Sequence, residues 1–220
     1  MRRFVAVEGL IGVGKTTLCR LLARERGAEL LLEPHADNPF LEPFYREPAR
    51  YALPVQLTFL LARYHHQDRV RQLSLFQPWV VSDYVFDKDR LFAEKTLGAE
   101  DLEVYHRVAS TLAVHVPTPD LVVVLDAPVP VLLQRIAQRG IAGEERIDAA
   151  YLEDLAERYR VLWDGWARSP VLHVDTTRLD LVSSPAAQQL VLEMIDASLA
   201  RAGDEAAPPD EDDLFTRQRR

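Results

Sequence analysis

Residues 4–17 read FVAVEGLIGVGKTT, and this stretch limits the possible folds more than any other. Phe4, Val5, Ala6 and Val7 form a short apolar run of strand type. Gly9, Leu10, Ile11, Gly12, Val13, Gly14, Lys15 and Thr16 then match G-x-x-x-x-G-K-[ST] at every fixed position, and Thr17 follows. A strand, a glycine loop and a helix start in that order make a phosphate-binding loop. The glycines let successive backbone N–H groups turn inward as an anion nest, and the helix opening near Lys15 adds its N-terminal dipole. Lys15 is placed to reach the β- and γ-phosphates, and the Thr16 hydroxyl to bind Mg²⁺.

Beyond this loop, apolar runs of strand type alternate with amphipathic stretches. The first helix is expected from Lys15 to Arg26, with Gly27 as its C-cap. Residues 29–32 make a second short strand that ends at Glu33-Pro34. A carboxylate there points into the cleft where open α/β sheets bind ligands. A segment rich in aromatics and proline follows, broken by Pro48 and Pro54, and then a helix over residues 55–73. Gln56 and Arg63, two turns apart, share a face of that helix. His65 and His66 have no partners at metal-ligand spacing and are read as surface residues.

Residues 79–81 form a third strand, closed by Ser82-Asp83. An acid at that position suits a Mg²⁺-linked or catalytic carboxylate. A charged stretch, residues 84–90, leads to an amphipathic helix over residues 100–115. LVVVL at residues 121–125 is the most strand-like run and suits a central parallel strand covered on both faces. A helix over residues 130–138 leads to Arg135, Arg139 and Gly140, and a short charged loop precedes the next helix, residues 151–163. Arginines flanking such a loop are what a closing lid uses to neutralise phosphates. A last strand, residues 171–174, and a helix, residues 186–201, complete the pattern.

The alternation predicts an α/β, P-loop NTPase-type three-layer fold: a five-stranded parallel sheet, helices on both faces and a short lid over residues 135–147. The 220 residues suit a single α/β domain over residues 1–201. Residues 202–220, acidic and then basic, read as a disordered tail. A net charge of -8 argues against broad nucleic-acid binding. The one cysteine, Cys19, suits a reducing cytoplasm, and no apolar run approaches a membrane span.

The P-loop alone specifies only a nucleotide triphosphate. Further residues narrow it: Glu33-Pro34, Asn38-Pro39-Phe40, Tyr45, Gln56, Arg63, Asp83 through Arg90, Arg135, Arg139, Glu144, and Ile147 with Tyr151-Leu152-Glu153. In this order and spacing the chain resembles the deoxynucleoside kinases, in particular their bacterial deoxyadenosine/deoxyguanosine kinase branch. The resemblance covers the chain to about residue 200. It implies transfer of the ATP γ-phosphoryl group to the 5′-hydroxyl of a deoxynucleoside, with Mg²⁺, in a cytoplasmic homodimer serving nucleotide salvage.

By the same resemblance, Glu33 matches the base that deprotonates the 5′-hydroxyl. Tyr45 and Glu144 match the pair on the 3′-hydroxyl, Gln56 the amide reading the base edge, and Arg63 with Asp89 the pair beyond it. Arg135 and Arg139 match lid arginines, and Asp83 the acid closing the third strand. Two departures stand out. Tyr84 occupies the place of an arginine, and Ile141 that of another lid arginine. Arg90 and Lys88 are the nearby cations available to make up the charge. A gapless correspondence would put Ser82 and Lys88 where Asp83 and Asp89 are preferred; a one-residue shift aligns the Asp89-Arg90 pair. Purine deoxynucleosides are favoured, with deoxycytidine next. The alternatives are a thymidylate-type monophosphate kinase and a P-loop regulatory protein.

Overall fold

The structure, a computed structural model, describes residues 3–32, 38–73, 78–141, 144 and 147–205. Five strands form one parallel sheet in the order β2-β3-β1-β4-β5. They are β1 (Arg3–Gly9), β2 (Glu29–Leu31), β3 (Trp79–Ser82), β4 (Leu121–Asp126) and β5 (Val171–Asp175). The expected five parallel strands with helices between them are present. The middle strand is β1, whose side chains from Phe4 to Gly9 are all buried. The LVVVL run is interior as well, but lies one place off centre, between β1 and β5.

Helices α1 (Lys15–Arg26), α6 (Val129–Arg139) and α8 (Pro185–Glu205) cover one face. Leu18, Leu22, Leu132, Ile136, Val191 and Ile195 pack there on Val5, Val7 and Val123. Cys19 belongs to the same layer, where burial pushes its thiol well above the usual range, so it packs as a small hydrophobe. Helix α7 (Ala149–Asp164) covers the other face, setting Leu155, Tyr159 and Trp163 on Ala6, Val122 and Val124. Full burial of each such side chain contributes about 1.5–3 kcal/mol. A separate helical cluster is built by α3 (Pro48–Leu73), α4 (Lys88–Thr96) and α5 (Ala99–Ala113) around Leu60, Phe86, Leu97 and Tyr105. Among the described residues no helix is long and apolar enough to cross a membrane.

Several elements depart from the sequence expectations. Helix α3 starts at Pro48, runs through Pro54 and is preceded by a short helix α2 (Leu41–Arg46). Pro54 removes the donor that would bond the carbonyl of Arg50, but Arg50 is exposed, so water satisfies that carbonyl. Helix α4 occupies residues read only as a charged stretch. Its buried face includes Lys88 and Asp89, which hides the apolar periodicity. Helix α7 begins at Ala149 because the Asp148 side chain accepts from the Tyr151 N–H at 2.8 Å. Helix α8 continues to Glu205, past the expected end at 201; residues 206–220 lie outside the described residues.

Two glycines fix the P-loop against the sheet. At Gly9 (φ 139°) a Cβ would lie 2.3 Å from the Leu125 carbonyl oxygen of β4. At Gly12 (φ 82°) it would meet Ile136 of α6 at 2.9 Å. The loop therefore packs where no side chain fits.

Glu8, fully buried beside Gly9, ties three elements together. Its carboxylate accepts from the Gly9 N–H at 3.1 Å, the Val85 N–H at 2.9 Å and the Tyr159 hydroxyl at 3.1 Å. The Glu8→Leu variant leaves those donors buried without an acceptor. It is expected to lose roughly 3 kcal/mol or more of stability, against about 1 kcal/mol for Tyr159→Phe. Denaturant melts of the two variants check this, and equal losses would remove Glu8 from the tethering role.

Candidate active site

The donor side is built on the P-loop. Lys15 leaves the first turn of α1 and donates from Nζ to the carbonyls of Gly9 (2.8 Å) and Leu10 (3.0 Å), spanning the loop. Thr16 donates from Oγ1 to Asp83 Oδ2 at 3.0 Å. Val13 is buried and Leu10 and Ile11 are half-buried against the core, so the loop offers mainly its backbone at these positions. A cleft of about 590 Å³ opens in front of residues 12–17, with Arg135 and Arg139 on one wall and residues 177–182 on the other. Arg135 is held in place by Thr176, through Oγ1 at 3.1 Å and the backbone carbonyl at 2.7 Å. Thr176 is itself buried and donates to the Asp126 carbonyl at the end of β4.

The wall at residues 177–182 was not found by sequence reasoning. Its shape comes from Asp180, which accepts from the N–H groups of Val182 (2.9 Å) and Ser183 (3.0 Å). The Ser183 hydroxyl bond holds the Asp180 carboxyl below its ordinary range. The signal available was an Asp two and three residues before those amides, a turn signature rather than a nucleotide signature.

The structure sets the two strand-end side chains apart. Ser82 is buried and donates to the Tyr84 carbonyl at 2.7 Å, whereas Asp83 meets Thr16. Two hard oxygen donors from Thr16 and Asp83 suit Mg²⁺, which takes one or two protein ligands plus phosphate oxygens and water. Among the described residues no group of three or more His, Cys, Asp or Glu forms a cage of its own.

Three of the residues expected on the acceptor side, Gln56, Arg63 and Asp89, lie on α3 and α4. Arg63 forms an ion pair with Asp89, with side chains 6% and 1% exposed, and the Tyr105 hydroxyl donates to Asp89 Oδ2 at 2.9 Å. Burial raises the Tyr105 phenol, so it remains a donor to that carboxylate. Gln56, on the same face of α3, is 5% exposed and donates from Nε2 to Thr96 Oγ1 at 2.9 Å. Its Oε1 is buried without a partner. One turn beyond Arg63, Gln67 is also buried with an unpartnered Oε1, a feature sequence reasoning missed.

Other expected site residues are not gathered. Tyr45 sits on α2 with 60% of its surface exposed. Glu144, expected beside it, instead accepts from Arg139 at 2.6 and 2.8 Å, and among the described residues no hydrogen bond joins it to Tyr45. Glu33 lies outside the described residues. Tyr84 is fully buried, and Arg90 is exposed and paired with Glu94 at 2.5 Å. His66 corrects the surface reading: its Nδ1 is buried without a partner, and burial lowers its pKa. It packs at 6.4 Å from the Tyr84 ring.

With this geometry in view, known proteins can be compared. The family model for deoxynucleoside kinase matches residues 5–200. The chain is 35% identical to a deoxyguanosine kinase of Bacillus subtilis over 185 residues, covering 81% of this chain and 89% of that one. It is 27% identical over 198 residues to a deoxyadenosine/deoxycytidine kinase of the same organism, covering 87% and 90%. In fold it is similar to a deoxyadenosine kinase from M. mycoides solved with dCMP and dCDP, at a TM-score of 0.73 and 22% identity, covering 88% of this chain and 99% of that one. With the family model matching residues 5–200 and a relative 35% identical over most of both chains, this chain belongs to the deoxynucleoside kinase family.

Proposed function

We propose that this protein is an ATP-dependent kinase that transfers the γ-phosphoryl group to the 5′-hydroxyl of a deoxynucleoside, purine deoxynucleosides first and deoxycytidine second. The observation that carries this reading is the polar set buried between α3 and α4: the Arg63–Asp89 pair and the unpartnered Oε1 of Gln56. An amide offering donor and acceptor, beside a fixed guanidinium–carboxylate pair, matches the edge of a base. A protein that only binds or hydrolyses a triphosphate has no use for such a set. The matching relatives named above are nucleoside kinases, which does not favour a monophosphate kinase or a regulatory P-loop protein.

Phosphoryl transfer is driven by positioning and charge neutralisation. The P-loop amides and Lys15 hold the donor phosphates. Thr16 and Asp83 would hold Mg²⁺, which supplies charge neutralisation at the β- and γ-phosphates when bound. Arg135, clamped by Thr176, stands beside the phosphates, and residues 177–182 enclose the rest of the donor nucleotide. Glu33 takes the 5′-hydroxyl proton as the new P–O bond forms and ADP leaves. Arg139 and Glu144 belong to a lid over residues 135–147, and Tyr45 with Glu144 takes the 3′-hydroxyl once that lid closes. A tyrosine under the sugar leaves little room for a 2′-hydroxyl, which favours deoxyribose. We read the chain through the end of α8 at Glu205 as one domain, and the working protein as a cytoplasmic homodimer; the rest of the tail expected from residue 202 lies outside the described residues.

A panel of dA, dG, dC, dT and dTMP with ATP is expected to show turnover of the deoxynucleosides, with dG or dA giving the highest kcat/KM and dTMP none. Phosphorylation of dTMP alone would replace this reading with the monophosphate-kinase one. Glu33→Gln is expected to lower kcat by about 100-fold or more with ATP binding retained; undiminished turnover would take Glu33 out of the base role. Lys15→Ala is expected to lose far more activity than the exposed His65→Ala control, measured under saturating deoxynucleoside.

A further inference from the structure

The last strand ends at Asp175, and Thr176 is the first residue beyond it. Thr176 is 1% exposed and stands where three parts of the donor side meet. Its N–H donates to the Asp126 carbonyl at the end of β4 at 2.8 Å. Its hydroxyl donates to the same carbonyl at 3.1 Å, and the Val13 carbonyl of the P-loop lies 3.4 Å from that hydroxyl oxygen. A hydroxyl has one proton to give and lone pairs to receive with, so Oγ1 also accepts from Arg135 Nη1 at 3.1 Å. The Thr176 carbonyl accepts from Arg135 Nη2 at 2.7 Å, and Nη1 donates at 3.5 Å to the Val13 carbonyl.

The three oxygens around this guanidinium are all neutral, and among the described residues Arg135 forms no ion pair. By contrast, Arg139 is paired with Glu144, Arg63 with Asp89 and Arg90 with Glu94. A carboxylate partner orients an arginine but cancels most of its field at a ligand a few ångströms away. Hydroxyl and carbonyl oxygens fix the same planar fork and leave its charge intact. That charge belongs to the cleft, because Arg135 lines it together with residues 12–17. It also reaches Asp180 on the wall at residues 177–182. The bonds from Ser183 and Val182 hold that carboxyl below its ordinary range, and Arg135 adds to their effect.

The Thr176 hydroxyl is not needed to end the strand. Valine has nearly the shape of threonine and suits a position this buried, and the Asp126 carbonyl already has the Thr176 N–H as its donor. What the hydroxyl adds is an acceptor for Arg135.

Resting on the kinase reading above, we propose that Thr176 is a positioning residue for phosphoryl transfer: it fixes the Arg135 guanidinium beside the P-loop through uncharged oxygens, so that the whole positive charge faces the donor phosphates. Thr176 touches no reacting atom and acts through Arg135. The chain passes from Thr176 directly into residues 177–182, so one residue sets the arginine and that wall of the cleft in register. A cation aimed in advance needs no reorganisation as charge shifts onto the phosphate oxygens.

The test compares wild type, Thr176→Val and Thr176→Ser in kcat, in KM for ATP and for deoxyguanosine, and in melting temperature, and repeats Thr176→Val in an Arg135→Met background. Thr176→Val is expected to lower kcat by about 10-fold, the scale of one hydrogen bond to a charged group, with KM for deoxyguanosine near wild type. Thr176→Ser, which keeps the hydroxyl, is expected to retain most of the wild-type kcat. In the Arg135→Met background Thr176→Val is expected to cost nothing further, because the two side chains act as one unit. Should Thr176→Val melt below the assay temperature, Thr176→Cys, whose sulfur accepts only weakly, carries the same comparison. With an active wild type, three results each overturn the role of Thr176 alone: kcat unchanged in Thr176→Val, an equal loss in Thr176→Ser, or a loss of the same size with Arg135 already removed. The last of these is what a purely structural role produces. A wild type that phosphorylates no deoxynucleoside overturns the kinase reading and this one with it.

Discussion

A carboxylate buried in the middle of a parallel sheet is the constraint on which the rest of this structure depends. Glu8 is the last side chain of β1 before the P-loop, and its surroundings exclude water. Leaving such a charge without donors would cost several kcal/mol, so the fold must bring donors to it. They come from three places: the first amide of the P-loop, the segment after β3, and the hydroxyl of Tyr159 on α7. Satisfying one residue therefore sets the P-loop, the segment after β3 and α7 at fixed relative positions. Backbone groups aimed in this way need no rearrangement at the moment of reaction, which is the main requirement for phosphoryl transfer.

The two halves of the site are supported differently. The donor half rests on the sheet, with Gly9 and Gly12 packed directly against β4 and α6. The acceptor half rests on a helical cluster with its own small core. Inside that second unit sits the Arg63–Asp89 pair, supported by Tyr105. Replacing a buried pair of this type by apolar residues would often be neutral or stabilising. What such a pair supplies is orientation: a guanidinium fixed by a carboxylate keeps its remaining donors in one direction.

Legibility from sequence followed the range of the interactions involved. The P-loop, the strands and the long amphipathic helices are local patterns and were readable; Gly27 as C-cap of α1 appears where expected, with φ 62°. The pairing of Gln56 and Arg63 on one face follows from helical period alone. Helix α4 was not readable, because its inward face carries Lys88 and Asp89 and so imitates a polar loop. Glu8 looked like one more strand residue, since nothing nearby in sequence announces donors from Val85 and Tyr159. The wall at residues 177–182 belongs to the site only because β5 ends beside the P-loop, which is a fact of topology. The 3.0 Å contact between Asp83 and Thr16 is likewise long-range and could not come from spacing.

The Arg139–Glu144 pair shows how a fold can hold reactive groups without consuming them. Arg139 lines the cleft in front of the P-loop, and in this structure it and Glu144 are each other's partner. The arginine is nearly half exposed, and ion pairs of that kind contribute at most about 1 kcal/mol. A contact so weak keeps the two side chains ordered, yet either one exchanges its partner for a phosphate or a sugar hydroxyl at little cost. The contrast with Arg63–Asp89 is one of burial. The deep pair stays closed because opening it would strand two charges away from water, while the shallow one opens because water covers the loss.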